Sequence, residues 1–316
     1  MSRIILLAVI SLAGCTSLPA TVENDAELPS IHLNDYAFHA ETFGNPENPV
    51  VIVLHGGPGA DYRYMYPLKD LANDHLVVFY DQRGTGLSPR VAEDGITIES
   101  FIADLDAFVV KFGHGQPVSL IGHSWGAMLA SAYIGKYPDK IDKVVLAEPA
   151  FLNPETYEDI FSQSGWPGFR VVLGFATAWV KKWGVNTQND PQARDDFFLM
   201  QVLPLLQGKN ELCEGAHPPL EAWRFGYSNF SATLGRMLRD PDWGAALDFS
   251  EGTEAFNGKA LFLVGECNQL VGATHQRKHL KLFARSKLES IPGAGHFMFN
   301  DQPELSIASV RGFLSQ

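Results

Sequence analysis

Residues 122 to 126 read Gly-His-Ser-Trp-Gly, and they join a short apolar run, Val118 to Ile121, to a helix-compatible run, Ala127 to Tyr137. A G-x-S-x-G pentapeptide in that setting demands a sharp strand-to-helix turn: the serine sits in strained backbone, and the flanking glycines let strand and helix approach closely. Such a turn lifts a hydroxyl clear of the end of a sheet, which makes Ser124 a candidate nucleophile. A bare pentapeptide is equally compatible with a glycine-rich turn carrying a bystander serine. Here the flanking strand and helix favour the nucleophile.

The rest of the chain carries the same alternation. Short apolar runs at Val50–Leu54, Leu76–Tyr80, Val118–Ile121, Val144–Ala147, Ala260–Val264 and Leu288–Ile291 read as core strands of an α/β fold with a mostly parallel sheet. Phe101, Leu105, Phe108, Val109 and Phe112 recur at helical spacing and form a core-facing stripe. From about residue 151 to 257 the alternation stops and aromatic-rich, helix-compatible segments replace it. This stretch reads as a helical cap inserted between core segments 31–150 and 258–316. It holds Trp166, Trp179, Trp183, Trp223 and Trp243, either lining the site or packing the cap's own small core.

A serine becomes a nucleophile only with a base in reach, itself oriented by a carboxylate. In enzymes built on this turn the histidine comes last in the chain, and Gly293-Ala294-Gly295-His296-Phe297 follows the final strand. His296 is therefore the candidate base. The loop His55-Gly56-Gly57-Pro58-Gly59 ends the first core strand, where a backbone N–H can serve an oxyanion hole. The expected donors are the amides of Gly57 and Trp125. Gly84-Thr85-Gly86 lacks the third glycine of a dinucleotide site, and no Gly-Lys-Ser/Thr marks a phosphate loop. His275 and His279, spaced i, i+4, lack a further metal ligand and read as a solvated helix face. No cofactor and no metal is expected.

Taken in order, His55 to Gly59, Asp81-Gln82-Arg83-Gly84-Thr85-Gly86-Leu87-Ser88 and Gly122 to Gly126 are similar to the three strongest motifs of the proline iminopeptidase group of the α/β-hydrolase superfamily. The resemblance spans the core and is weaker in the cap. It implies an α/β-hydrolase fold and cofactor-free hydrolysis through an acyl-enzyme, with release of an amino-terminal proline from a peptide, or action on other amides and esters. Asp81 and Arg83 read as structural residues shaping the turn.

One position departs from the pattern. Where the family carries its aspartate, this chain reads Gly265-Glu266-Cys267-Asn268-Gln269. An amide can hold a histidine tautomer but cannot neutralise an imidazolium. Glu148, directly after the strand that follows the nucleophile helix, stands where some relatives, certain haloalkane dehalogenases among them, carry their acid. It is the expected orienting carboxylate. Glu266 is the alternative, and Asn268 is either a hydrogen-bonding partner or the orienting group by itself.

The amino terminus has a different character. Arg3, the apolar stretch Ile4 to Ile10 and Leu12-Ala13-Gly14-Cys15 resemble a bacterial lipoprotein signal, in which residues 1–14 are removed and Cys15 is lipidated; an ordinary signal peptide cut nearby is the alternative. Residues 15–30 then form a tether, and Thr16 in place of an aspartate favours the periplasmic face of the outer membrane over inner-membrane retention. Cys213 and Cys267 would be left either to pair in an oxidising compartment or to pack as separate buried thiols. A net charge of −12 argues against nucleic acid as a partner.

Two enzymatic readings and one without chemistry follow from these residues. An exported aminopeptidase would need cap carboxylates to meet a free amine, with Glu211, Glu214 and Glu221 as candidates by charge. An esterase or lactonase would use the same triad beneath an apolar pocket. A ligand-binding lipoprotein that has lost turnover is motivated by the missing aspartate. The sequence leaves the oligomeric state open.

Overall fold

The computed structural model describes residues 16–161, 169–206, 208–219 and 222–316. Eight strands form one sheet: β1 Ser30–Leu33, β2 Tyr36–Phe43, β3 Val50–Leu54, β4 Leu76–Tyr80, β5 Val118–His123, β6 Ile141–Ala147, β7 Lys259–Gly265 and β8 Ser286–Ile291. Their order is β1-β2-β4-β3-β5-β6-β7-β8. Every pairing from β4 onward is parallel. The six runs expected from apolarity are all strands. The central ones are rich in Val, Ile and Leu because both faces are covered: Ile52, Leu54, Leu120 and Val144 pack on one side, Val51, Val53, Ile121 and Val145 on the other, whereas the edge strand β8 is mixed in sequence and half-buried.

The antiparallel β1–β2 hairpin was not expected from the sequence. Its turn places Asn34 and Asp35 at φ 51° and 55°, the left-handed backbone that Asn and Asp tolerate and that tight hairpins need. Helix α1, Ile98–Gly113, starts at a capping box between Thr97 and Ser100 and buries Phe101, Leu105 and Phe108. Helix α2, Trp125–Lys136, follows β5 directly.

Between β6 and β7 lies the cap, with α3 Pro154–Phe161, α4 Phe169–Lys181, α5 Ala193–Leu206 and a helical run over 227–239. α4 and α5 meet through Ala178, Leu199 and Val202. A buried ionic cluster holds the cap to the core. Asp196 accepts hydrogen bonds from Arg90 Nε and Arg224 Nε, each at 2.8 Å, and from the Tyr227 N–H at 2.8 Å. The Arg224 guanidinium also pairs with Asp190 and donates to the Pro19 carbonyl at 3.1 Å.

That last contact corrects the expectation of a free tether. Residues 16–29 are strapped to the body: Thr16 forms a parallel bridge with Val185, the Val22 N–H donates to the Leu87 carbonyl at 2.9 Å, and Thr21 is buried. Cys15 and residues 1–14, with the signal they are expected to form, lie outside the described residues.

A second correction concerns His275 and His279. They do share one face of helix Ala273–Leu280, but the face is buried. His275 Nε2 bonds the Ala150 carbonyl at 2.7 Å and Gln276 Nε2 donates to the Pro149 carbonyl at 2.8 Å, so this helix fixes the backbone that follows Glu148. Burial lowers the His279 pKa to about 3, which keeps that ring neutral beside Phe262.

Candidate active site

Ser124 leaves the end of β5 at φ 53° and ψ −120°, a conformation non-glycine residues rarely adopt. Its N–H donates to the Ala147 carbonyl at 2.8 Å, which holds the turn against β6. Both flanking glycines are required by contact. A Cβ at Gly122 would lie 2.4 Å from the Gly126 carbonyl oxygen, and one at Gly126 would lie 2.1 Å from that of Leu54. The same strand-to-helix closeness that strains the serine therefore excludes any side chain beside it.

Glu148 lies one residue beyond β6, fully buried, with φ 47°. Three donors converge on its carboxylate. His296 Nδ1 lies 2.7 Å from Oε2, Asn268 Nδ2 donates to Oε2 at 2.7 Å, and the Gly265 N–H donates to Oε1 at 2.8 Å. Asn268 Oδ1 in turn accepts from the N–H groups of Leu270 and Val271, at 3.0 and 3.1 Å, which fixes the amide with its NH₂ toward the carboxylate. Glu266 is exposed and accepts the Gly293 N–H at 3.1 Å, away from the imidazole.

The pair has a clear electrostatic direction. Burial opposes the His296 imidazolium, but the hydrogen bond and charge of Glu148 outweigh it and raise the pKa above the ordinary histidine value. Burial also pushes the Glu148 carboxyl upward, against the three donors that favour its ionised form. With its Nδ1–H held by Glu148, the imidazole has Nε2 left to act as a base, and His296 and Ser124 line the same cavity. The Ser124 hydroxyl has no hydrogen-bond partner among the described residues; such contacts in unliganded sites often close only when substrate arrives.

Above the serine, Gly57 sits at φ 126° and lines the cavity. Neither its N–H nor that of Trp125, the first residue of α2, has an acceptor among the described residues. Gln82 braces this loop. Its Nε2 donates to the His55 carbonyl at 2.8 Å and its Oε1 accepts Trp125 Nε1 at 2.9 Å, joining the loop after β3 to the nucleophile turn. Asp81 is enclosed by its own turn, accepting Leu87 N–H at 2.7 Å and Tyr62 N–H at 3.1 Å, and Arg83 pairs with Asp104, so both are structural.

Residues 49–303 match the family of the alpha/beta hydrolase fold. The chain belongs to this family. The alpha/beta hydrolases it resembles differ in chemistry. It is 36% identical to a proline iminopeptidase of Heyndrickxia coagulans over 110 residues, 34% of this chain and 38% of that one. It is 20% identical to epoxide hydrolase 1 of Caenorhabditis elegans over 302 residues, 90% of this chain and 70% of that one. The crystal structure of proline iminopeptidase from Mycobacterium smegmatis superposes with a TM-score of 0.61 at 18% identity, covering 91% of this chain and 97% of that one, which shows a shared fold.

In this alpha/beta hydrolase the cavity at Ser124 measures about 250 Å³. Leu203, Pro204, Pro218, Phe225, Leu234 and Phe297 form its apolar wall. Tryptophan does not contribute among the described residues, so of the two alternatives the indole lining is the one not observed there. Trp179 and Trp183 are exposed, Trp223 packs edge-on against His39, Tyr62 and Tyr66, Trp243 lies under Arg236, and Trp166 falls outside the described residues.

Among the described residues two carboxylates reach the cavity. Asp61 is spent on the backbone, accepting N–H groups of Arg63, Trp223 and Arg224, and burial with Asp81 nearby raises its pKa to about 7. Glu211 Oε1 accepts the Gly208 N–H at 2.8 Å, and Oε2 has no hydrogen-bond partner among the described residues. Glu214 is exposed outside the lining, and Glu221 lies outside the described residues.

The segment bearing Glu211 is locked onto the base. The Glu211 carbonyl accepts the His296 N–H at 2.7 Å, the Asn210 carbonyl accepts the Gln269 N–H at 2.7 Å, and a disulfide joins Cys213 to Cys267. The alternative of two separate thiols is thus excluded.

Sequence reasoning missed a relay behind the nucleophile. The Gly56 N–H donates to Tyr64 Oη at 2.7 Å, Tyr64 Oη–H donates to His123 Nδ1 at 2.7 Å, and His123 Nε2–H donates to the His296 carbonyl at 2.8 Å. Burial and the neighbouring His296 hold His123 neutral. The relay links the oxyanion loop to the base loop through the residue before Ser124. Tyr64 is 59 positions from His123, and nothing in the local sequence pairs them.

Proposed function

We propose that this alpha/beta hydrolase is a serine hydrolase acting through an acyl-enzyme, with Ser124 as nucleophile, His296 as general base and acid, and Glu148 as the orienting carboxylate. The observation that carries this reading is the buried Glu148 carboxylate bonded to His296 Nδ1 beneath a cavity that Ser124 and His296 share. In the first step His296 Nε2 takes the Ser124 proton as Oγ attacks the substrate carbonyl, and the Gly57 and Trp125 amides stabilise the oxyanion. His296 then protonates the leaving amine or alcohol, and water repeats the sequence to release the acid. Glu148 stabilises the transient imidazolium, and Asn268 holds Glu148 in place. Asn268 stands where the resemblance places the family's acid, and Glu148 supplies the charge that Asn268 lacks.

For the substrate we favour small amides with a free amino terminus, as in proline iminopeptidases, because Glu211 brings a second carboxylate, besides the backbone-bound Asp61, into a cavity of dipeptide size with an apolar wall. Hydrolysis of proline p-nitroanilide beside short p-nitrophenyl esters, with Ser124→Ala and Glu211→Gln variants, tests both parts. Serine-dependent anilide cleavage whose KM rises at least tenfold in Glu211→Gln supports the reading. Ester cleavage alone, indifferent to Glu211, would make the enzyme an esterase. Absence of both, with a folded protein, would favour a binding protein without turnover. The same reading takes the chain to be exported and lipid-anchored at Cys15, supported by Leu12-Ala13-Gly14-Cys15.

A further inference from the structure

Helix α4 turns one face to the cap and the other to water. Ala178 packs into the α4–α5 contact, while Val172, Leu173, Trp179 and Val180 are 53%, 56%, 55% and 64% exposed. With Ala176 they cover an arc of about 120° on a helix of 3.6 residues per turn. Trp183, 56% exposed, continues the face just past the helix and touches Trp179 edge-on at 6.0 Å. On the opposite side of α4, Leu205 of α5 packs closely over Gly174, which keeps that side against the cap. Leu305, 48% exposed, lies apart from the exposed face on the helix Pro303–Leu314; a contiguous apolar patch of this kind on a protein surface marks a binding face.

The occupant is indicated by where the chain begins its described path. Thr16 is bridged to Val185 and bonded to the Gly184 carbonyl at 3.2 Å, next to Trp183 at the carboxyl end of this face. Cys15, the expected lipid attachment point, is the preceding residue. Cations stand at the same end: Lys181 is exposed, Arg194 lies 5.1 Å from the Trp183 ring, and Lys182 lies 5.8 Å from that ring while pairing with Asp195 at 2.9 Å. Indoles beside cations, on a helix too short to cross a bilayer, suit the headgroup region of a membrane. We propose that the exposed face of α4 is a lipid-bilayer docking surface, lying flat on the membrane beside the Cys15 anchor. The position of the anchor rests on the function proposed above; the apolar face does not.

The test uses the chain from Thr16, which keeps every described residue and has no lipid. It is sedimented with vesicles of phosphatidylethanolamine and phosphatidylglycerol, alone and with brominated acyl chains. Expected are co-sedimentation and quenching of tryptophan emission, with binding at least tenfold weaker in Trp179→Ser/Val180→Ser and unchanged in Leu305→Ser. Those side chains are exposed and outside the active site, so Tm and hydrolysis of a soluble ester stay at wild-type values. Wild-type protein remaining in the supernatant would overturn the proposal, as would equal loss in Leu305→Ser. A dimer split by Trp179→Ser/Val180→Ser, without vesicle binding, would assign the face to a second copy instead. Failure of the anchor reading is separate and is read from the intact mass of the envelope-extracted protein.

Discussion

The edge of the sheet and the cap are built in opposite ways. At the sheet edge the chemistry is set by backbone: Ser124 and Glu148 occupy left-handed conformations at the ends of adjacent parallel strands, Gly122 and Gly126 admit no side chain, and the Glu148 carboxylate is filled by three donors. The cap has few such constraints. Its helices meet over a small apolar contact, expose one face of α4, and are held to the core by the Asp196 cluster, by Asp61 and by one disulfide. The backbone thus fixes the geometry at the sheet edge, whereas the cap surface can exchange side chains at little structural cost. This is consistent with relatives that share the fold and differ in chemistry.

The contrast can be broken first at the sheet edge. Glu148→Gln keeps the shape but removes the charge that stabilises the imidazolium, so kcat is expected to fall by about 10³–10⁴. The sign of the pH effect is fixed. His296 works as the neutral base, Glu148 raises its pKa, and the acidic limb of kcat/KM should move to lower pH in the variant. Glu266→Gln, on the exposed side of the same loop, should stay within about twofold in rate. A pH–rate series on one ester substrate checks all three outcomes.

Next is the ionic cluster under the cap. Asp196→Asn leaves two buried guanidiniums without their shared carboxylate and should cost about 3–5 kcal/mol in denaturant unfolding. The disulfide closes a loop of 54 residues between the cap and the Glu266–Asn268 turn. Cys213→Ser/Cys267→Ser should lose about 2–4 kcal/mol, measured the same way, and loosen the Glu211 segment over His296. The smallest expected effect lies in the relay. Tyr64→Phe strands His123 Nδ1 and the Gly56 N–H, which should cost about 1–3 kcal/mol in stability and lower kcat more than it raises KM.

The same contrast explains what could be read from the sequence. Strands buried on both faces announce themselves as unbroken Val, Ile and Leu, and the glycines and histidines at their ends mark the loops that converge on the site. Glu148 was legible because it directly follows β6, even with Asn268 at the usual acid position. The β1–β2 hairpin was not, since β1 is half-exposed and mixed in character, although Asn34-Asp35 carried its turn. In the cap, composition located the tryptophans but could not say which way they point. Periodicity placed His275 and His279 on one face without revealing that Phe262 and Ala150 cover it.

The most direct test of the account is the second-order rate of labelling by a fluorophosphonate, followed by intact mass and peptide mapping. The account predicts one adduct on Ser124 in the wild type, none in Ser124→Ala, a rate about 10³-fold lower in Glu148→Gln and a near wild-type rate in Glu266→Gln. Labelling of Glu148→Gln at the wild-type rate, or an adduct elsewhere than Ser124, would contradict it.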